Sequence, residues 1–172
     1  RFLTEKPVLV LLNVGEADMA RAAALTDAVR VRYDHRQSLV DALSARIEME
    51  IGELDEESAA VFREELGLAE SSLDRVIRLS YRLLGLISFF TAGPDETRAG
   101  TIHDGDTAVD AAAAIHSDLA RGFIRAEVVL CEELLALGSM AEARKHGKLR
   151  AEGKTYRVRD GDVIEVLFNV AR

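Results

Sequence analysis

Asn13 and Glu16 close an apolar run, VLVLL at 8–12, and their side chains have the makings of a hydrogen-bonding corner. A side-chain amide carries two donors and an acceptor, whereas a carboxylate three residues later carries acceptors only. At a strand end, such a pair holds the groups needed to read the edge of a planar base. The same spacing also suits structural work, because an Asn N-cap followed by Glu three residues on is a capping box. The residues alone leave both readings open. Ser44, Ala45 and Arg46 follow a second candidate strand. Alone this tripeptide assigns nothing; its position about 30 residues after Asn13, at the end of a strand, strengthens both signals.

Other chemistry is sparse. P-loop GTPases read guanine with Asn-Lys-x-Asp after a buried strand; here Val14 stands at the Lys position and Glu16 at the Asp position. The longer carboxylate moves the acceptor and should weaken guanine preference. The sequence contains no G-x-x-x-x-G-K-[ST]; Gly105, Gly122 and Gly138 stand alone. Without that loop there is no backbone nest for a β-phosphate and no hydroxyl for Mg²⁺. The chain by itself is therefore expected not to hydrolyse a nucleotide, and no catalytic residue is assigned. His35, His103, His116 and His146 show no metal-ligand spacing with Cys131 or with one another. His116 is expected to be structural, with Ser117 and Asp118 beside it by coincidence rather than as a triad. Cys131 is expected to be a buried, inert thiol.

Composition sets the frame. Of 172 residues, 48% are hydrophobic and none is Trp, so the core must be aliphatic. No apolar run approaches the ~20 residues of a membrane span, and the opening RFLTEKPVLV lacks the pattern of a signal peptide. The single cysteine excludes an internal disulfide, and a reducing cytoplasm is the simplest compartment. A net charge of −8 argues against wholesale coating of nucleic acid. Yet Arg144, Lys145, Lys148, Arg150, Lys154, Arg157 and Arg159 are opposed only by Glu152. That stretch is either a docking face for structured RNA or an acidic partner, or a solvated hairpin.

The elements that position these residues follow from pattern. The run at 7–12 is expected to be a strand buried on both faces. Residues 16–32 read as a helix and 37–44 as a second strand, giving one βαβ unit. Residues 47–88 read as helical. Gly67 is a stop signal, Ser71 and Asp74 a capping-box-like start, and Leu73, Val76, Ile77, Tyr81 and Leu84 one apolar face. A boundary is expected at 88–93, dividing the chain into 1–88 and 89–172. Beyond it, Thr107 and Asp110 cap a helix whose Ala111, Ala114, Ile115 and Leu119 face inward and which Gly122 stops. A strand, FIRAEVVL, follows. A short helix ends at Gly138, and a second runs from Ser139-x-x-Glu142 to Gly147. A strand, an Asp160-Gly161 turn and a final strand, VIEVLF, complete the chain. Strands on either side of one main helix within about 80 residues are expected to form a ubiquitin-like β-grasp. The fold class is thus α/β followed by α+β.

With these pieces in place the chain resembles the YchF family, the Obg-like ATPases, over its C-terminal half. The resemblance rests on KPVLVLLNVGE, SARIEMEIGELDEE, EELGL, SLDRVIRLSYRLLGL, FFTAGPDETRA, IHSDLARGF, GFIRAEVV and GKLRAEGKTYRVRDGDVIEVLFNV. It implies that 1–88 is the C-terminal portion of a P-loop NTPase domain, a parallel sheet with helices and a helical segment. Residues 89–172 would be a TGS domain of β-grasp type. It implies a ribosome-associated protein of translation or stress control, cytoplasmic and not membrane-bound. Such a protein hydrolyses ATP in preference to GTP, with Mg²⁺ held by residues that this sequence lacks. Asn13, Val14 and Glu16 fall on the base-reading motif, and Ser44, Ala45 and Arg46 on the base-flanking loop. Arg98, Arg121, Arg125, Lys148, Arg150, Lys154 and Arg157 would face the ribosome or a structured RNA. The chain departs from the family at Gly100 and Cys131, where an aromatic and a Tyr are expected. The alternative is a non-enzymatic RNA- or protein-binding module of TGS type.

Overall fold

The structure is a computed structural model that describes residues 2–33, 37–93 and 97–169. It falls into two compact units, 1–84 and 85–172. Residues 85–88, expected at the end of the helical segment, belong to the second unit because Gly85, at φ 64°, ends the last helix and a strand begins at Leu86.

In the first unit, β1 (Val8–Asn13) and β2 (Ser38–Leu43) pair in parallel from Val8↔Ser38 to Asn13↔Leu43. A 3₁₀ turn (Glu16–Arg21) and helix α1 (Ala22–Arg32) connect them, the expected βαβ unit. β1 is not buried on both faces: its residues are half-buried or exposed, and Leu11 is 39% exposed. The reason is that β2 is its only paired neighbour among the described residues. β2, with Val40 and Ala42 buried, is the better covered strand.

Helices α2 (Ala45–Gly52), α3 (Glu56–Glu65) and α4 (Ser72–Leu84) follow. Ile47, Ile51 and Ala59 form the small core between α2 and α3. Gly67 does stop α3: at φ 66° it allows Gly67 N–H to reach Glu64 O at 3.0 Å and Leu68 N–H to reach Arg63 O at 2.8 Å, a Schellman ending. Ser71 Oγ accepts from Asp74 N at 3.0 Å and opens α4. The apolar stripe expected on α4 is only partly used. Val76 and Tyr81 are half-buried, but Leu73, Ile77 and Leu84 are 67%, 49% and 51% exposed. The residues that meet β2 include a charged one: Arg75 pairs with Asp41.

In the second unit, five strands stand in the order β4-β3-β7-β5-β6. They are β3 (Leu86–Ala92), β4 (Thr97–His103), β5 (Phe123–Leu130), β6 (Arg150–Glu152) and β7 (Asp162–Phe168). β3 and β7 are parallel and the other pairs antiparallel. β6 and β7 do not form the expected hairpin; they flank β5 on opposite sides. A bulge between Phe123 and Arg125 resets the alternation of β5. It points Phe123, Ala126 and Val128 to one face and leaves Ile124 59% exposed.

Helix α5 (Ala108–Ile115) covers that face, with Ala108, Ala111 and Ala112 wholly buried beside Phe89 and Ile164. Ala114, expected to face inward, is exposed, and Ala112 takes that role. Thr107 caps α5 through a full capping box with Asp110. These bonds hold the Asp110 carboxyl below its usual range, the Thr107 hydroxyl contributing most. The helix does not run on to Gly122. His116 is extended (φ −163°, ψ 140°), and its Nδ1 accepts from Asp118 N at 3.2 Å to start α6 (Ser117–Arg121). Gly122 is needed for closeness instead, because a Cβ there would stand 2.2 Å from Asn169 O. On the other face of the sheet, α7 (Cys131–Leu137) and α8 (Met140–Lys145) cover Val129 and Val163.

A strap at 153–159 carries the cationic end of the chain and is fastened by one buried carboxylate. Asp162 is 0% exposed. It accepts from Tyr156 Oη at 2.8 Å, Arg159 N at 2.9 Å and Arg150 Nη2 at 3.4 Å. Burial, then the bond to Asp162, pushes the Tyr156 phenol up. A group whose proton is held more tightly in the folded state contributes stability below its unfolded range and loses it as pH climbs through the folded one. Accordingly, urea unfolding of Asp162→Ala should show a loss of about 2 kcal/mol at neutral pH, since Tyr156 and the Arg159 amide lose their acceptor. Tyr156→Phe should reduce the fall in stability of the wild type above pH ~10.

Candidate functional site

The corner at the C-terminal ends of β1 and β2 is built from both strands. Asn13 is the last residue of β1 and lies across from Leu43, the last of β2. Val14 N donates to Leu43 O at 2.9 Å, so the two chains leave the sheet together. Ser44 is buried and caps α2, its Oγ accepting from Ile47 N at 3.5 Å. Ala45 is the first residue of that helix, and its N–H donates to Asn13 Oδ1 at 3.1 Å.

That bond puts Asn13 to a use other than a local capping box. The turn at Glu16–Arg21 begins after Gly15 with no side-chain cap, so Asn13 and Glu16 form no capping box. Asn13 instead satisfies a free N–H of a helix on the next strand. With Oδ1 engaged, its amide group keeps two donors, and Asn13 is exposed. Glu16 is exposed too. Arg46, also exposed, turns back along its own helix to Glu50 Oε1 at 3.0 Å. Asn13, Val14, Ser44 and Ala45 are thus brought together, Glu16 opens the adjacent turn, and Arg46 points along α2.

Chemically, the corner offers an amide donor and a carboxylate acceptor. Adenine carries the matching pattern, N7 as acceptor beside the N6 amino donor. Open α/β sheets bind ligands beyond the carboxyl ends of their strands, which is where these groups lie. Nothing here fits phosphates or Mg²⁺: no group of three metal-capable side chains gathers among the described residues, and the Gly-rich lysine loop is missing from the sequence.

The basic residues are dispersed and largely neutralised. Arg98 lies on β4 and Arg150 on β6, at opposite edges of the sheet, roughly 19 Å apart at four strand spacings. Arg121 pairs with Asp118 at 3.0 Å, Lys148 with Glu133 at 2.7 Å, and Arg150 with Glu152 and Asp162 at 3.4 Å. Arg144 pairs with Glu127, and Arg125 approaches the same carboxylate at 3.9 Å. On the strap, Lys154, Arg157 and Arg159 are exposed, and Arg157 donates to Gly105 O at 3.1 Å. The sequence did not reveal the Asp162 hub that holds this strap; its only trace is the second acid in Asp160-Gly161-Asp162. His116 is structural as expected, Cys131 is half-buried rather than buried, and His35 lies outside the described residues.

Asn13→Ala should speed hydrogen exchange of the Ala45 amide by one to two orders of magnitude, while the Val14 amide, bonded to Leu43, stays protected. Equal protection of Ala45 in the variant would contradict the bond's role.

Comparison with known proteins gives the lineage. Residues 86–169 match the family model YchF-GTPase_C, described as a protein of unknown function (DUF933). Over 98% of its length the chain is 49% identical to the ribosome-binding ATPase YchF of Bacillus subtilis and 46% identical to that of Escherichia coli O157:H7. It spans about half of those relatives, 46% of each. Among solved structures, the Schizosaccharomyces pombe YchF GTPase superposes with a TM-score of 0.78 at 29% identity, covering 94% of this chain and 43% of that one. A GTP binding protein from Pyrococcus horikoshii OT3 shares the fold at a TM-score of 0.65 and 21% identity, over 95% of this chain and 46% of that one. The mixed α/β fold is therefore that of YchF structures, and the chain belongs to the YchF family.

Proposed function

We propose that this chain is the base-contacting and ribosome-facing portion of an ATP-binding, ATP-hydrolysing protein of the cytoplasm. The observation that carries the reading is the Asn13–Ala45 bond, which engages the Asn13 amide oxygen and leaves its N–H donors to a ligand. In this reading residues 1–84 complete a nucleotide-binding domain. Asn13 donates to a ring nitrogen of adenine and Glu16 accepts from its amino group. Val14, Ala45 and the buried Ser44 shape the floor, and Arg46 flanks it. Guanine presents an oxygen where adenine presents the amino group, and a carboxylate repels it. ATP supplies the hydrolysable phosphates, with Mg²⁺ bound by groups outside this sequence.

The second unit is read as a TGS domain. Its β4-β3-β7-β5-β6 order, with α5 across one face of the sheet, supports a β-grasp reading. Support for a ribosomal role comes from the relatives named ribosome-binding ATPases. The RNA-facing surface centres on Lys154 and Arg157 with Arg159, whose cations meet no acid among the described residues. Arg98, Arg121, Arg125, Lys148 and Arg150 sit further out or share their charge with carboxylates.

Titration of the full-length protein with ATP and GTP tests the base reading: ATP should bind more tightly, and Glu16→Ala should narrow the gap by about tenfold. A clear GTP preference in the wild type would remove the argument. For the strap, Lys154→Ala with Arg157→Ala should weaken ribosomal RNA binding and flatten its salt dependence by about 0.7 for each phosphate no longer neutralised; an unchanged slope would clear the strap of that role.

A further inference from the structure

We propose that the outward stripe of α3, running from Leu54 to Glu65, is a docking surface for a basic amphipathic helix of a protein partner. This goes beyond the nucleotide and ribosome reading and does not depend on it.

The negative charge of the chain is concentrated around α3. Residues 47–70 hold nine acids against a single base, Arg63, a balance of −8 that equals the net charge of all 172 residues. Several of these acids serve the local fold. Asp55 caps α3 through the Ser58 amide, Glu50 pairs with Arg46, Glu70 pairs with Arg78, and Glu48 accepts from Ser72 N at 3.1 Å. Glu57 and Glu65 have no such use: their side chains form no hydrogen bond or ion pair among the described residues. Glu57 stands in the first turn of α3, where the helix dipole favours an acid. Glu65 is the last residue of that helix, where a carboxylate meets the negative end of the dipole. Helix stability therefore does not explain it.

Between these two acids the same face is apolar. Leu54, Glu57, Ser58, Val61, Phe62 and Glu65 recur at helical spacing and line one open groove of about 420 Å³. Leu54 and Val61 are 42% and 53% exposed, and Phe62 is half-buried against the core of Ile47, Ile51 and Ala59. Arg63, two residues past Val61, lies about 200° around the helix from it. The groove is thus lined by two carboxylates and no cation.

Charge selects the occupant. A second copy laid along the stripe would set carboxylate against carboxylate, which is unfavourable. Nucleic acid and anionic lipid are repelled in the same way. An amphipathic helix would cover Leu54 and Val61 with its apolar face. Lysines two turns apart on its flank would match Glu57 and Glu65, which α3 sets about 12 Å apart along its axis.

The test is a ¹⁵N NMR titration of the 172-residue chain with the synthetic peptide acetyl-Leu-Lys-Lys-Leu-Leu-Lys-Leu-Leu-Lys-Lys-Leu-Leu-Lys-Leu-amide, whose leucines share one helical face. Saturable shifts should be confined to 54–66. A peptide of the same composition with its leucines scattered around the helix should bind about tenfold more weakly. Val61→Ser should weaken binding about fivefold through lost apolar contact. Glu57→Gln with Glu65→Gln should weaken it about tenfold at low salt and flatten its salt dependence. Glu132→Gln, an acid of α7 outside the groove, should change neither. Absence of saturable shifts, shifts centred elsewhere, equal affinity for the scattered peptide, or unchanged affinity in either groove variant would overturn the proposal. So would concentration-dependent shifts at 54–65 in the chain alone, which would assign the stripe to a second copy.

Discussion

The hydrogen bond from the Ala45 amide to Asn13 fixes the geometry at the strand ends of the first unit, on which the proposed base contact depends. Parallel strands leave their loops at the same end of the sheet, but nothing in a parallel pair forces two loops to hold a common position. Asn13 does so with one side chain. It ends β1, caps α2 from outside, and has its amide orientation set by the bond it accepts. A single such bond is worth only about 1 kcal/mol. Its value lies in direction, because an amide free to rotate would offer donor and acceptor alike to a base edge.

The second unit relies on the same device more deeply buried. Asp162, fully enclosed, gathers a phenol, a backbone amide and a guanidinium, and so holds a strap of cations against the sheet. Burying a carboxylate without such partners would be costly; with them it becomes a rigid anchor. Arg144, Lys145 and Lys148 pair with neighbouring acids instead. Of the seven basic residues between 144 and 159, those on the strap, Lys154, Arg157 and Arg159, are exposed and form no ion pair among the described residues.

Local signals were legible in the residues. The caps at Ser71, Thr107 and Ser139 and the stops at Gly67, Gly138 and Gly147 act within a turn or two of chain, and each holds where the sequence puts it. The βαβ unit follows from an apolar run, an Ala-rich stretch with early acids and a second short apolar segment. What the residues hid was tertiary. That β6 pairs with β5 rather than β7 depends on strands distant in sequence. The break at His116 arises because an imidazole can cap as well as continue a helix. Ala114 and Ala112 are chemically identical, so only packing says which is buried. The residues leave Asn13 open as base-reader or local cap; no capping box with Glu16 forms, and its Oδ1 instead accepts from the Ala45 amide 32 residues away, a contact that no local pattern could reveal.

The most direct measurement follows the Asn13 side-chain amide resonances in selectively ¹⁵N-labelled full-length protein as ATP is added. The account predicts a large, saturable shift of those two protons with ATP and a smaller one with GTP, while the Ala45 amide keeps its bond. Nucleotide binding that leaves the Asn13 amide unmoved would contradict it.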